Sequence, residues 1–282
     1  MKTRLLKQTV MKGLMILSAA ILLIGFSSLI WTIFSHGLPY MSWEMVSSIP
    51  GGGFYIGKEG GILNAILGTV IITTVSAAIA LIIGSGVVLV LNLYAKRFRR
   101  TVSTIRMVQD VLFGIPSIVY GAFAFAIMIS FGLRTSMLAG IITVTLLILP
   151  IMIRAIDEVV RQIPEDLVNS VFSLGATRLE TAGVLLRQAL PGIVTAIMLS
   201  VARAAGDAAS LLFTSGYSDN LPFSPDQPAA TLPLAIFFQL SSPIAEVQGR
   251  AYAAALILTL IILIISLSAK WISSRLSKHR IR

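Results

Sequence analysis

Arg203 and Asp207 stand four residues apart in ARAAGDAASLLFT (residues 202–214), with Arg203 near the middle of a run, about 193–213, otherwise apolar enough for a lipid-embedded helix. A charge in the middle of such a helix costs about 2.5–3.5 kcal/mol on insertion scales, so its presence demands a reason. Four-residue spacing puts both side chains on one helix face, and two readings follow. In one, the charges neutralise each other and pin helices together. In the other, Arg203 faces a watery path and offers its planar fork of donors to a tetrahedral oxyanion. Arg154, closing another apolar run, is either a second, inner anion contact or an ordinary anchor at the membrane surface. Gly114, Pro116 and Ser117, in GIPS, break a third apolar run, which reads as a packing kink or as a kink used in gating.

Other chemistries are excluded by composition. The chain has 282 residues and no cysteine, so disulfides, thiolate metal sites and cysteine nucleophiles are ruled out. Its two histidines, His36 and His279, are too far apart in sequence to suggest a metal site. With Asp207 as the one acid expected to be buried, no constellation suits an intramembrane enzyme such as a lipid phosphatase or acyltransferase. GGFYIGKE (residues 52–59) nearly spells a phosphate-cradling loop, but it ends in Glu59 where a hydroxyl would hold magnesium, and no strand leads into it. It reads as a glycine-rich connector, so any ATP and magnesium used here must be bound by another chain.

The elements that position these residues are spans. Charged residues make up 12% of the chain, against about 25% in soluble domains, and the mean hydropathy is +0.91. Six segments approach the ~20 apolar residues a crossing helix needs, at about 14–34, 62–94, 108–130, 136–153, 193–213 and 251–267. The basic segment 1–13 precedes an apolar run longer than a signal peptide's, so the first span is read as uncleaved. Gly, Ser and Thr thread the second span, which is expected to pack inside the bundle.

The net charge of +10 falls in short clusters between the runs and so signals topology rather than nucleic-acid binding. Lys2, Arg4, Lys7, Lys12, Lys96, Arg97, Arg99, Arg100, Arg106, Arg154, Arg161, Arg178, Arg187, Lys270, Arg275, Lys278, Arg280 and Arg282 fall on one side. The other side holds Lys58 and Arg134, with Arg250 at a boundary, which places both termini in the cytoplasm. The outer loop 215–249 is rich in Pro, Ser and Asp and ends in LPLAIFFQL, too short to span and expected as an interfacial or re-entrant helix.

The inner loop 155–192 is polar. Pro164, Glu165 and Asp166 mark a helix start. Leu167, Val171 and Leu174 recur at helical spacing, and Gly175 suits a left-handed cap. A second helix follows with Leu179, Ala182 and Leu186 on one face. This apolar stripe is expected to fit a socket in a partner protein.

LVNSVFSLGATRLETAGVLLRQALPGI (residues 167–193) resembles the cytoplasmic "EAA" loop of ABC importer permeases, E-A-A-x-x-x-G followed by an apolar helix. Gly175 matches the motif glycine, Asn169 stands where the glutamate would, Ser170 and Val171 stand for the two alanines, and Pro191 lies later than the usual proline. GGILNAILGTVIIT (60–73), GIPSIVYG (114–121) and ARAAGDAASLLFT are similar to the phosphate-import permeases of the PstA type, which usually carry Glu where this chain has Asp207. The resemblance implies an all-α, six-span type I ABC importer permease in a bacterial inner membrane, non-catalytic and without a cofactor of its own. Implied partners are a PstC-like permease, a PstB-like ATPase dimer that binds ATP and magnesium, an external PstS-like phosphate-binding protein, and membrane lipid.

By the same resemblance Asn169, Ser170, Val171, Gly175 and Ala176 couple to the ATPase; on the anion-path reading of the charges, Arg203, Asp207 and Arg154 line the substrate pathway. Asp207 could then accept a hydrogen bond from a phosphate that keeps a hydroxyl, which sulfate lacks. The alternatives are another oxyanion on the same scaffold (molybdate, sulfate or phosphonate) and a channel, which needs no docking loop.

Overall fold

The computed structural model describes residues 2–51, 59–95 and 98–276. The connector at 52–58, Lys96, Arg97 and the terminal Lys278, His279, Arg280 and Arg282 lie outside the described residues. In chain order the helices are α1 (Lys2–Gly37), α2 (Trp43–Ser47), α3 (Leu63–Leu89), α4 (Arg99–Gly114), α5 (Ser117–Ser130), α6 (Met137–Arg161), α7 (Glu165–Ser173), α8 (Arg178–Ala205), α9 (Leu232–Leu240) and α10 (Ala245–Leu276). A π-helical turn, Val90–Tyr94, continues α3. The helices α1, α3, α6, α8 and α10 are long and apolar enough to cross a membrane, and α4 with α5 makes a sixth crossing if the bent pair counts as one.

The core is α3, α6 and α8 packed together, with Ile72, Val144, Ile148, Met152, Ile156 and Ala189 essentially sealed from solvent. Without water to drive helices together in lipid, close backbone approach between small residues supplies the contact. The second span behaves as its composition suggests, since Gly68, Thr69, Thr73, Ser76, Ala77, Ala80 and Gly84 of α3 are buried. Ser76 Oγ donates to the Ile141 carbonyl of α6 at 3.0 Å. Gly68 lies so close to the backbone that leads into α9 that a Cβ there would stand 2.0 Å from the Ala230 carbonyl oxygen.

The outermost helix, α1, is exposed along nearly its whole length and meets α10, where the His36 and Tyr252 rings stack at 5.2 Å. That contact joins the C-terminal end of α1 to the N-terminal part of α10, so the helices run antiparallel and the start of α1 and the end of α10 share one end of the bundle. The same end holds Tyr94, Arg161 and Arg178, and is here called the basic end.

The third span departs from expectation. Rather than a kinked helix over 108–130, α4 and α5 meet at 98°. Ile115 is extended (φ −71°, ψ 131°), as steric clash with the following proline requires, and Pro116 has no N–H to continue α4. The 14-residue α5 rises only about 21 Å, short of the ~30 Å hydrocarbon core. Tyr120 Oη donates to the Leu112 carbonyl at 2.9 Å and braces the corner.

The fifth span also differs. One helix, α8, replaces the expected coupling helix plus span: it starts at Arg178, passes through Pro191 and stops at Ala205, eight residues before 213. Residues 206–231 then run back as irregular backbone, tolerated at membrane depth only where protein satisfies it. Ser136, Met137 and Leu138 at the start of α6 donate their backbone N–H groups to the carbonyls of Thr214, Gln227 and Pro225. Ser215 Oγ donates to the Ala229 carbonyl at 2.6 Å, and Thr69 Oγ1 accepts the Leu232 N–H at 2.8 Å. The helix expected in LPLAIFFQL forms as α9, with Leu232, Leu234 and Ala235 buried.

Candidate functional site: a basic-end hinge and a buried loop

The segment 165–177 is built by its caps. Glu165 and Asp166 sit in the first turn of α7, after Pro164. Its far end is a Schellman closure: the Gly175 N–H donates to the Phe172 carbonyl at 2.9 Å and the Ala176 N–H to the Val171 carbonyl at 3.4 Å. Gly175 has φ +84°, the left-handed region that the sequence reading expected of it. Two residues on, Thr177 opens α8 with a capping box, its Oγ1 accepting the Glu180 N–H while Glu180 Oε2 accepts from the Thr177 N–H at 2.7 Å.

This hinge leaves apolar surface in the open. Leu174 is 88% exposed and Leu179 78%. Asn169 and Ser170 are exposed beside them, Val171 and Ala176 half-buried. Of the expected stripe Leu174 and Leu179 stand open, Leu167, Val171 and Leu186 are half-buried and Ala182 is buried, while α7 packs on the bundle through Val168. On α8 the buried positions are Ala182, Leu185, Ala189 and Ile193, with Leu179 turned outward.

Two further clusters hold the charges. At the basic end, Asp157 of α6 is buried and gathers three donors. Arg106 Nε and Nη2 of α4 reach its two oxygens at 2.9 and 3.1 Å, and Asn92 Nδ2 of the π-helical turn reaches Oδ1 at 2.6 Å. One turn away, Arg154 of α6 pairs with Asp110 of α4, both side chains more than half exposed. Arg154 thus has a carboxylate partner as the structure stands.

The far end of α8 holds the second cluster. Arg203 is exposed and lies in the helix's last turn, where a cation complements the C-terminal dipole, rather than at mid-helix. Asp207 lies past the helix end and is buried; its Oδ2 accepts the Ser210 N–H at 2.9 Å. The two share no helix face, and no ion pair joins them among the described residues. Ser210 Oγ beside them is buried without a hydrogen-bond partner. Gly121 of α5 packs on this turn so closely that a Cβ would stand 2.7 Å from the Ser210 carbonyl oxygen. Further along the loop, burial pushes the Tyr217 phenol up to about 12, with nearby Asp219 adding to the shift.

The sequence reading missed Asp157 as a second buried acid, along with its ties to Arg106 and Asn92. A signal was present: R-x-x-x-D at 106–110 and R-x-x-D at 154–157 are complementary when two helices run antiparallel. Gly114 has open space around it, Pro116 and the residue before it make the corner, and Ser117 begins α5.

The geometry is that of a polytopic bundle with a partner-sized apolar knob at one end and a buried polar turn toward the other. Comparison with known proteins agrees. Residues 86–278 match the family described as "Binding-protein-dependent transport system inner membrane component". The "Phosphate transport system permease protein PstA" of Pasteurella multocida is 32% identical over 269 residues, 95% of this chain and 94% of that protein. The protein of the same name from Yersinia pestis is 32% identical over 94% of this chain and 90% of its own length. Among solved structures, the MetNI methionine ABC transporter in an inward-facing form superposes with TM-score 0.60 at 22% identity, over 76% of this chain and 95% of that one, a likeness of fold. The chain belongs to the binding-protein-dependent transport system inner-membrane components and, among them, to the PstA-type permeases.

Proposed function

We propose that this chain is the transmembrane permease subunit of an ATP-driven phosphate importer in a bacterial inner membrane, forms half of the translocation pathway and has no catalysis of its own. A PstC-like permease supplies the other half, a PstB-like ATPase dimer binds ATP and magnesium, and a PstS-like protein delivers phosphate from outside. The observation that carries the mechanism is the hinge: a capped, conformationally defined α7–Gly175–Thr177 unit that presents Leu174 and Leu179 to solvent. Exposed leucines on a rigid turn suit a cleft in a motor subunit, with the basic end in the cytoplasm as the charge asymmetry suggests. Phosphate as cargo is supported by the names and high coverage of the relatives.

In this reading Arg203 meets the anion in the pathway, and Asp207, whose second oxygen is not committed to Ser210, takes the hydrogen bond of a protonated phosphate. Reconstituted complex should take up labelled phosphate only with ATP and binding protein. Arg203→Gln should lower uptake by roughly ten-fold or more, the scale of a lost charge-assisted hydrogen bond. Asp207→Asn should erode the preference for phosphate over sulfate; unchanged preference removes Asp207 from the pathway, and faster uptake of molybdate or phosphonate than of phosphate reassigns the cargo.

A further inference from the structure

A cavity of about 540 Å³ opens at the basic end between the π-helical turn, α4, the end of α6 and the start of α7. Its polar lining is Asn92, Arg99, Ser103, Arg106, Arg161 and Glu165. Arg99, Ser103 and Arg106 recur at i, i+4 and i+7, so one face of α4 is turned into the cavity. Arg106 is held in place by Asp157. Arg99 and Arg161 are exposed and have neither hydrogen bond nor ion pair among the described residues. Glu165 is the acidic member of the lining and Asp157 stands behind Arg106, so that among the described residues three guanidiniums meet two carboxylates.

A basic pocket between membrane helices, on the side where anionic headgroups lie, is suited to a phosphate group. We propose that this cavity binds one, gripped by Arg99 and Arg161 with Arg106 behind, and supplied by the headgroup of an anionic phospholipid or by free inorganic phosphate at the basic end. The cavity is much larger than a bare ion, and its arginine-rich lining suits a phosphodiester. Glu165 and Val168 place α7 in the wall, so a bound phosphate bridges α4 and α6 to the hinge. The site is separate from Arg203 and Asp207, at the opposite end of α8, and does not depend on what the pathway carries.

The test uses the complete transport complex in nanodiscs. One arm counts phosphatidylglycerol retained through delipidation by native mass spectrometry. The other measures saturable binding of radiolabelled inorganic phosphate in phosphatidylcholine nanodiscs, where no anionic headgroup competes. Wild type should retain a phosphatidylglycerol, or bind one phosphate more than R99Q/R161Q does. In the double variant the affinity of whichever probe binds should fall roughly ten- to thirty-fold, at about 1 kcal/mol per removed charge. Arg99→Lys with Arg161→Lys should restore part of it, and Arg178→Gln, whose guanidinium instead stacks 5.3 Å from the Tyr94 ring, should change nothing. Should the double variant fold poorly, Ser103→Phe fills the same space without touching a charge and should abolish the same binding. Retention of both probes by R99Q/R161Q and Ser103→Phe at wild-type affinity overturns the proposal, as does a wild type that binds neither.

Discussion

Truncating Asp157 to Ala should destabilise the chain more than any change to the neighbouring Arg154–Asp110 pair. The Asp157 side chain is 8% exposed and that of Arg106 29%. Its removal leaves Arg106 without a carboxylate and Asn92 Nδ2 with only the Val88 carbonyl. Breaking a fully buried pair costs about 3–5 kcal/mol, most of it the penalty of stranding the partner charge. Arg106 reaches water with nearly a third of its side chain, so that penalty is partly relieved and about 2–3 kcal/mol is expected. Arg154 and Asp110 are 57% and 55% exposed, so their pair should contribute only about 0–1 kcal/mol despite similar chemistry. Equilibrium unfolding in mixed micelles of rising dodecyl sulfate content measures both. A double-mutant cycle of Arg106→Gln and Asp157→Asn should return a coupling of about 1–2 kcal/mol. A cost below about 0.5 kcal/mol for Asp157→Ala, or no coupling in the cycle, would refute the claim that burial separates the two pairs.

Gly175→Val forces a β-branched residue into φ +84° and should cost about 1–2 kcal/mol; it should uncouple uptake from ATP hydrolysis while the ATPase itself still turns over. Gly68→Ala drives a methyl into the Ala230 carbonyl and should lower stability by about 1–3 kcal/mol. Gly114→Ala meets open space and should leave thermal stability unchanged or slightly raised, which separates a corner glycine from a packing glycine. Leu174→Asp should weaken co-purification of the ATPase without altering the unfolding transition, because the side chain it replaces is 88% exposed.

What was legible in the sequence was what periodicity, caps and hydropathy write locally. The start of α7 after Pro164, the glycine stop at 175 and the inward face of α3 all follow from rules that act within a few residues. The short helix in LPLAIFFQL was legible for the same reason. The misses concern where a helix ends against tertiary structure. Hydropathy counts Leu211, Leu212 and Phe213 after Gly206 as span, yet Asp207 caps a turn there and the chain folds back to close the first turn of α6. Arg203 looked mid-membrane only because the helix was taken to run to 213. The corner at Ile115 and Pro116 was visible as a break, but its 98° depends on α4 being drawn to α6 by Arg106 and Asp110, a contact between residues about fifty apart.

These corrections alter how force would travel under the proposed docking. Had the coupling segment and the fifth span been separate helices, a push on Leu174 would dissipate in the joint between them. Instead α8 is a single 28-residue rod, about 42 Å long, that begins at the Thr177 box and ends at the turn fixed by Asp207. Meanwhile Asp157 ties α6, α4 and the end of α3 into one block. A tilt of α8 must therefore be taken up where α8 meets that block and in the irregular 206–231 backbone, whose carbonyls hold the start of α6. The polar turn bearing Asp207 and the unpartnered Ser210 hydroxyl lies at that point. A rod with a motor contact at one end and a buried carboxylate turn at the other needs no hinge of its own to couple them, and Pro191 is accommodated within α8 with its carbonyl accepting Ser273 Oγ of α10 at 2.9 Å.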